Sequence, residues 1–89
     1  MIHVVIYHTK NCMKCMLTAK EFERNSIPVK KILVDPESDW GIQKLEKFKL
    51  EGARSFPVVR VYEGENDDGS NPLDIWSDYQ LDKIREWVK

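Results

Sequence analysis

Cys12-Met13-Lys14-Cys15 holds the only two cysteines of the chain. Their spacing has a chemical use if a helix begins at the first of them. A residue at a helix N-terminus faces backbone N–H groups that have no partner and the positive end of the macrodipole. Both favour a thiolate, so Cys12 is expected to ionise below the range of a free cysteine. Cys15 then lies about one turn further on, near enough to close a disulfide and more shielded by the helix. One exposed nucleophile and one buried resolving thiol form the pair that thiol–disulfide exchange requires. Lys10 and Lys14 add positive charge nearby and are candidate thiolate-stabilising residues.

The same spacing is half of a zinc site. His3 and His8 would raise the ligand count to four. Five residues apart on a strand, they point to opposite faces and sit roughly 16 Å apart at about 3.3 Å per residue. One of them could join the cysteines, and His8, in the loop before Cys12, is the nearer. His3 reads as a surface or sheet-face residue. An iron–sulfur cluster would have to be shared between two chains, and two inert packed cysteines are the remaining alternative. The expected chemistry is exchange by Cys12 and Cys15, with no metal and no bound cofactor.

Elements of a recognisable order must position that pair. Residues 2–7 are β-branched and aromatic and nearly all apolar, a strand buried on both faces. A helix starts near Cys12. Cys15, Thr18, Ala19 and Phe22 share one side of it, and Pro28 prevents its continuation. Residues 29–34 read as a second strand. Asp35-Pro36-Glu37 reads as a helix start, with Asp35 capping and Pro36 in the first turn. Ile42, Leu45, Phe48 and Lys49 follow the helical period, and Gly52 stops it. Lys44, Lys47 and Lys49 read as a solvated face. Residues 56–62 form a third strand containing Pro57, and residues 63–72, with Gly64, Gly69 and Pro72, form a turn. Residues 73–76 make a short fourth strand. Ser77 with Gln80 three residues later fits a capping box before a last helix that carries Leu81, Ile84 and Val88. A helix between strands one and two implies a parallel crossover, and a turn between strands three and four implies a hairpin. The fold class is therefore α/β, ordered β-α-β-α-β-β-α, with a four-stranded mixed sheet and helices on both faces.

Composition narrows the function. The chain has 89 residues, 33 % of them charged, and a net charge of −1. One domain spanning residues 1–89 is expected. The near-neutral charge argues against a general nucleic-acid-binding role, and no apolar run is long enough for a membrane span. The N-terminus has no basic region of the kind that opens a signal peptide. The expected compartment is the cytoplasm, where thiols stay reduced. Charge is unevenly distributed: residues 1–60 carry 11 Lys and Arg against 7 Asp and Glu, and residues 61–89 carry 3 against 8. Glu63, Glu65, Asp67, Asp68 and Asp74 concentrate the negative part, read as a solvated turn or as a surface for a basic partner.

Taken together, Tyr7, Cys12-Met13-Lys14-Cys15, Phe56-Pro57-Val58-Val59 and Trp76-Ser77 resemble the glutaredoxin branch of the thioredoxin fold. The resemblance covers nearly the whole chain and is nearest to the NrdH-redoxins, small electron donors to class Ib ribonucleotide reductase. It implies a monomer that reduces a protein disulfide and is itself reduced by a thioredoxin reductase. It also implies a cis bond before Pro57 beside the thiols, with the Phe56 backbone left to pair with a substrate chain. Trp76, Ser77 and Tyr79 would border the substrate; Trp40 and Trp87 read as core or rim residues. The sequence departs from the family in three places, one of them a long and acidic loop before the fourth strand. Thr9 stands where a lysine is usual, with Lys10 one residue later. Trp76-Ser77-Asp78-Tyr79-Gln80-Leu81 replaces Trp-Ser-Gly-Phe-Arg-Pro, so the glycine, arginine and proline are gone.

Overall fold

The structure is a computed structural model in which residues 1–53, 55–64 and 71–88 are described. Its elements run β1 (Ile2–His8), α1 (Met13–Arg24), β2 (Val29–Leu33), α2 (Asp39–Leu50), β3 (Val58–Glu63), β4 (Asp74–Ser77) and α3 (Leu81–Trp87). The sheet order is β2-β1-β3-β4. β1 and β2 are parallel, while β1–β3 and β3–β4 are antiparallel. Crossover and hairpin therefore both form where the element order requires them.

β1 is the keel. Val4 and Ile6 face a core shared with Ala19, Phe22, Val59, Val61, Trp76 and Ile84. Val5 and Tyr7 face the opposite core, with Val34, Phe48, Val58 and Tyr62. A period of two thus loads both sides of the sheet, as the continuous apolar run implies. Cys15, Thr18, Ala19 and Phe22 are the buried residues of α1, the same four that the helical period selects. α1 and α3 cover one face of the sheet and α2 the other.

Three expectations about element ends are corrected. α2 starts at Asp39 with Ser38 as its cap, not at Asp35. Asp35 instead closes a turn around Pro36: its Oδ1 accepts from Glu37 N–H at 2.9 Å, and its carbonyl accepts from Ser38 Oγ–H at 3.0 Å. Phe48 and Leu45 pack in the core on this face of the sheet, and Ile42 is 45 % exposed rather than packed. The capping box at Ser77 does not form. Ser77 is still paired in β4 with Val58, and the cap of α3 is Gln80, whose side chain donates back to the Ser77 carbonyl at 2.8 Å. Phe56 and Pro57 precede β3 rather than belong to it.

Polar groups tie the helices to the sheet. Arg60 pairs with Glu51 at 3.0 Å and lies over the Tyr7 ring. Lys44 is not simply solvated: it is half-buried over the same ring, and burial followed by the Arg60 charge pushes its pKa down. On the other face, Asp74 accepts from Trp87 Nε1–H at 3.0 Å and pairs with Lys83 at 2.8 Å, fastening α3 to β4. His3 is buried, stacks on Tyr62 and donates from Nδ1 to the Gly64 carbonyl at 2.6 Å. It is thus a packed sheet-face residue rather than a surface one. Glu65, Asp67 and Asp68 of the acidic segment, and most of the expected 63–72 turn, lie outside the described residues.

Gly41 gives a sharp test of this packing. Replacing a helical glycine with alanine ordinarily stabilises by up to about 1 kcal/mol, and Gly41 lies in the first turn of α2. Here an added Cβ would collide with the Asp35 carbonyl oxygen and carbon. Gly41→Ala is therefore expected to reverse the usual sign and destabilise by about 1–3 kcal/mol, the range for overpacking, read as a lower urea midpoint.

Candidate active site

Cys12 and Cys15 are joined in a disulfide with their Cα atoms 5.3 Å apart. Cys12 is the N-cap of α1. Its backbone is extended, and its sulfur accepts the Cys15 N–H at 3.2 Å. The sulfur therefore occupies the place where a serine or aspartate oxygen usually satisfies an unpaired helix N–H. A thiolate formed there would keep that donor and gain the charge-assisted strength of the bond. Asn11, immediately before, has φ 56°, a left-handed conformation that asparagine tolerates better than most residues. It turns the chain from the end of β1 into the cap. Cys15 is only 4 % exposed and packed on the sheet side of α1, whereas Cys12 is half-buried. Of the two cysteines, Cys12 is thus the more exposed and Cys15 the more shielded.

Immediately before β3 the Phe56–Pro57 bond is cis and Pro57 is buried. Phe56 is half-buried with its ring edge-on to Phe48, centroids 6.1 Å apart. Among the described residues no backbone hydrogen bond outside the strands engages Phe56. Asp78 connects this loop to the cysteine helix. It has φ 71°, and its N–H donates to the Pro57 carbonyl at 2.8 Å. Its Oδ1 accepts from Lys14 Nζ at 3.0 Å and from Tyr79 N–H at 2.7 Å. The Lys14 hydrogen bond, reinforced by the Tyr79 N–H, holds the Asp78 carboxyl below the usual carboxylate range. It is ionised at neutral pH.

The expected site residues thus divide. Cys12, Cys15, Pro57 and Lys14 are drawn into one connected group through α1 and Asp78. Lys14 is engaged by a carboxylate, so its charge is largely offset rather than offered to Cys12. Lys10 lines a groove of about 520 Å³ on the β2 side of the cysteines, with His8, Met16 and Leu33. Trp76 does not border the site with its ring. Its side chain is 6 % exposed and packs on Phe22 in the core, because β4 alternates and Trp76 falls on the inward side. Ser77 and Tyr79 are half-buried, Tyr79 against the same core. Trp87 sits at the rim as expected, while Trp40 is 47 % exposed and belongs to no core. Asp78 was not among the expected site residues. The signal for it was an aspartate in the place of a family glycine, where a positive φ suits only a few residue types. His3 and His8 lie at opposite ends of β1, and no group of three or more His, Cys, Asp or Glu able to hold a metal occurs among the described residues.

No protein-family model and no curated protein matches the sequence. Solved structures do match in three dimensions. NrdH-redoxin of Escherichia coli, described as glutaredoxin-like with a thioredoxin-like activity profile, superposes with a TM-score of 0.67 at 24 % identity, over 96 % of this chain and 93 % of that one. A glutaredoxin from Archaeoglobus fulgidus gives 0.68 at 23 % identity, over 100 % and 88 %. Thioredoxin f2 of Chlamydomonas reinhardtii gives 0.57 at 16 %, over 98 % and 75 %. The fold is thioredoxin-like, of the glutaredoxin type, as the element order implies. On that fold, the C-x-x-C disulfide supports thiol–disulfide oxidoreductase chemistry.

The unequal settings of the two sulfurs lead to unequal reactivity. In the reduced protein at neutral pH, iodoacetamide should label Cys12 first, because its sulfur is the exposed one at the helix end. Cys15→Ser should accumulate a mixed disulfide with substrate, and Cys12→Ser should not. Peptide mapping by mass spectrometry reads both; faster labelling of Cys15 would reverse the assignment.

Proposed function

We propose that this protein is a thiol–disulfide oxidoreductase that reduces protein disulfides. The observation that carries the reading is the Cys12 sulfur capping α1 and bonded to the buried Cys15. In the working direction the Cys12 thiolate attacks one sulfur of the substrate disulfide. A Cys12–substrate disulfide forms and the other substrate sulfur leaves as a thiolate. Cys15, after losing its proton, attacks the Cys12 sulfur, closes Cys12–Cys15 and expels the second substrate thiolate. Two electrons pass from the dithiol to the substrate, whose two sulfurs take up two protons. The cap bond from Cys15 N–H favours the Cys12 thiolate, the attacking species of the first exchange step. The backbone of Phe56 would pair with the extended substrate chain and align its disulfide.

The narrower reading is an electron donor of NrdH type, with class Ib ribonucleotide reductase as substrate and a thioredoxin reductase restoring the dithiol in the cytoplasm. The motif resemblance and the structural likeness to NrdH-redoxin support it. Among the described residues no helix is long and apolar enough to cross a membrane. A glutathione-dependent glutaredoxin is the competing reading, favoured by the likeness to the archaeal glutaredoxin. Glutathione-using relatives carry paired glycines before the last helix, which let the tripeptide approach the backbone. This chain has Trp76 and Ser77 there, followed by the anionic Asp78.

NADPH consumption by the oxidised protein with each purified reducing system discriminates them. Thioredoxin reductase should reduce the Cys12–Cys15 disulfide directly. Efficient reduction by millimolar glutathione with glutathione reductase, and none by any thioredoxin reductase, would overturn the narrower reading.

A further inference from the structure

We infer that Asp78 is a specificity-determining residue, masking the Lys14 charge beside Cys12 and thereby disfavouring acidic thiol and disulfide partners. The inference rests on the exchange chemistry proposed above. Lys14 lies between the two cysteines and would otherwise present an ammonium group to any molecule approaching the disulfide. Its Nζ is 3.0 Å from Asp78 Oδ1, and both side chains remain substantially exposed. An exposed pair of this kind adds little stability. Its consequence is local charge: with Asp78 ionised, the pair is neutral.

Asp78 is held ready for this role independently of Lys14. Its backbone is left-handed and tied to the Pro57 carbonyl, and its Oδ1 also accepts the Tyr79 N–H. The sheet order puts Pro57 and Asp78 on the β3–β4 flank of Cys12 and the Lys10 groove on the β2 flank. Lys10 therefore does not compensate on the side where Pro57 would receive a partner chain. A partner whose residues next to the reacting sulfur are neutral or basic meets no penalty there. One with a carboxylate meets Asp78 with Lys14, its cation among the described residues, already engaged.

Small thiols of opposite charge measure this directly. Each reduces the protein in two steps: one thiolate attacks Cys12 and releases the Cys15 thiolate, and a second releases Cys12 and leaves the small-molecule disulfide. The oxidised protein is reduced with 3-mercaptopropionate and separately with cysteamine at low salt, and the ratio of their rate constants is compared between variants. Differences in intrinsic thiol reactivity cancel in that comparison. Asp78→Asn keeps a side chain that tolerates positive φ and leaves Lys14 unmasked. One unit of charge at about 6 Å in water changes each rate about threefold, in opposite directions for the two thiols. The anionic-to-cationic ratio should rise about tenfold in Asp78→Asn and fall about tenfold in Lys14→Gln, which unmasks the carboxylate instead. Both changes should shrink in 0.5 M salt. A ratio within twofold of wild type in either variant overturns the inference while leaving the oxidoreductase reading intact. A wild-type disulfide that no thiol reduces would sink both.

Discussion

A single bond organises the site: the Cys15 N–H donating to the Cys12 sulfur at the first turn of α1. It makes a cysteine serve as a helix cap, a position normally filled by an oxygen side chain. The reactive atom is thereby fixed by backbone geometry rather than by a rotatable partner. The bond holds only if α1 begins at Met13, and that start is set from both sides. Left-handed Asn11 brings the chain round from β1, and the burial of Cys15, Thr18, Ala19 and Phe22 fixes the rotation of the helix on the sheet. With Cys15 locked inward, Cys12 is the sulfur left for solvent.

The sheet carries that arrangement because β1 is buried on both faces. A strand of this kind can slip neither in register nor in orientation without exposing an entire apolar face. β3 lies beside it with Val58 opposite Tyr7, so the Pro57 loop and the cysteine loop emerge at the same sheet end. Asp78 then bridges them, with its main chain on Pro57 and its carboxylate on Lys14. Three loops far apart in sequence become one surface through two short polar contacts.

Much of this was legible in the residues themselves. The continuous apolar run of β1, the α1 face and the C-x-x-C spacing each encode their own structure locally, and the element order follows from them. What stayed hidden was decided by competition between neighbouring polar groups. Asp35 and Ser38 are both good helix caps, and Ser38 prevails because Asp35 and Pro36 close a turn first. Ser77 has the pattern of a cap but is held in β4 by pairing with Val58. Trp76 carries a motif that suggests a surface role, yet the alternation of a four-residue strand sends its ring inward. The Lys14–Asp78 pair joins residues 64 apart in sequence, a distance across which no local pattern can speak.

On the proposed reading, Cys12 and Cys15 cycle between dithiol and disulfide while passing electrons to a protein disulfide. The most direct measurement is the turbidity of insulin reduced by dithiothreitol, with and without catalytic amounts of the protein. A marked shortening of the lag before precipitation is expected, abolished by Cys12→Ser. A lag unchanged by the wild-type protein would contradict that reading.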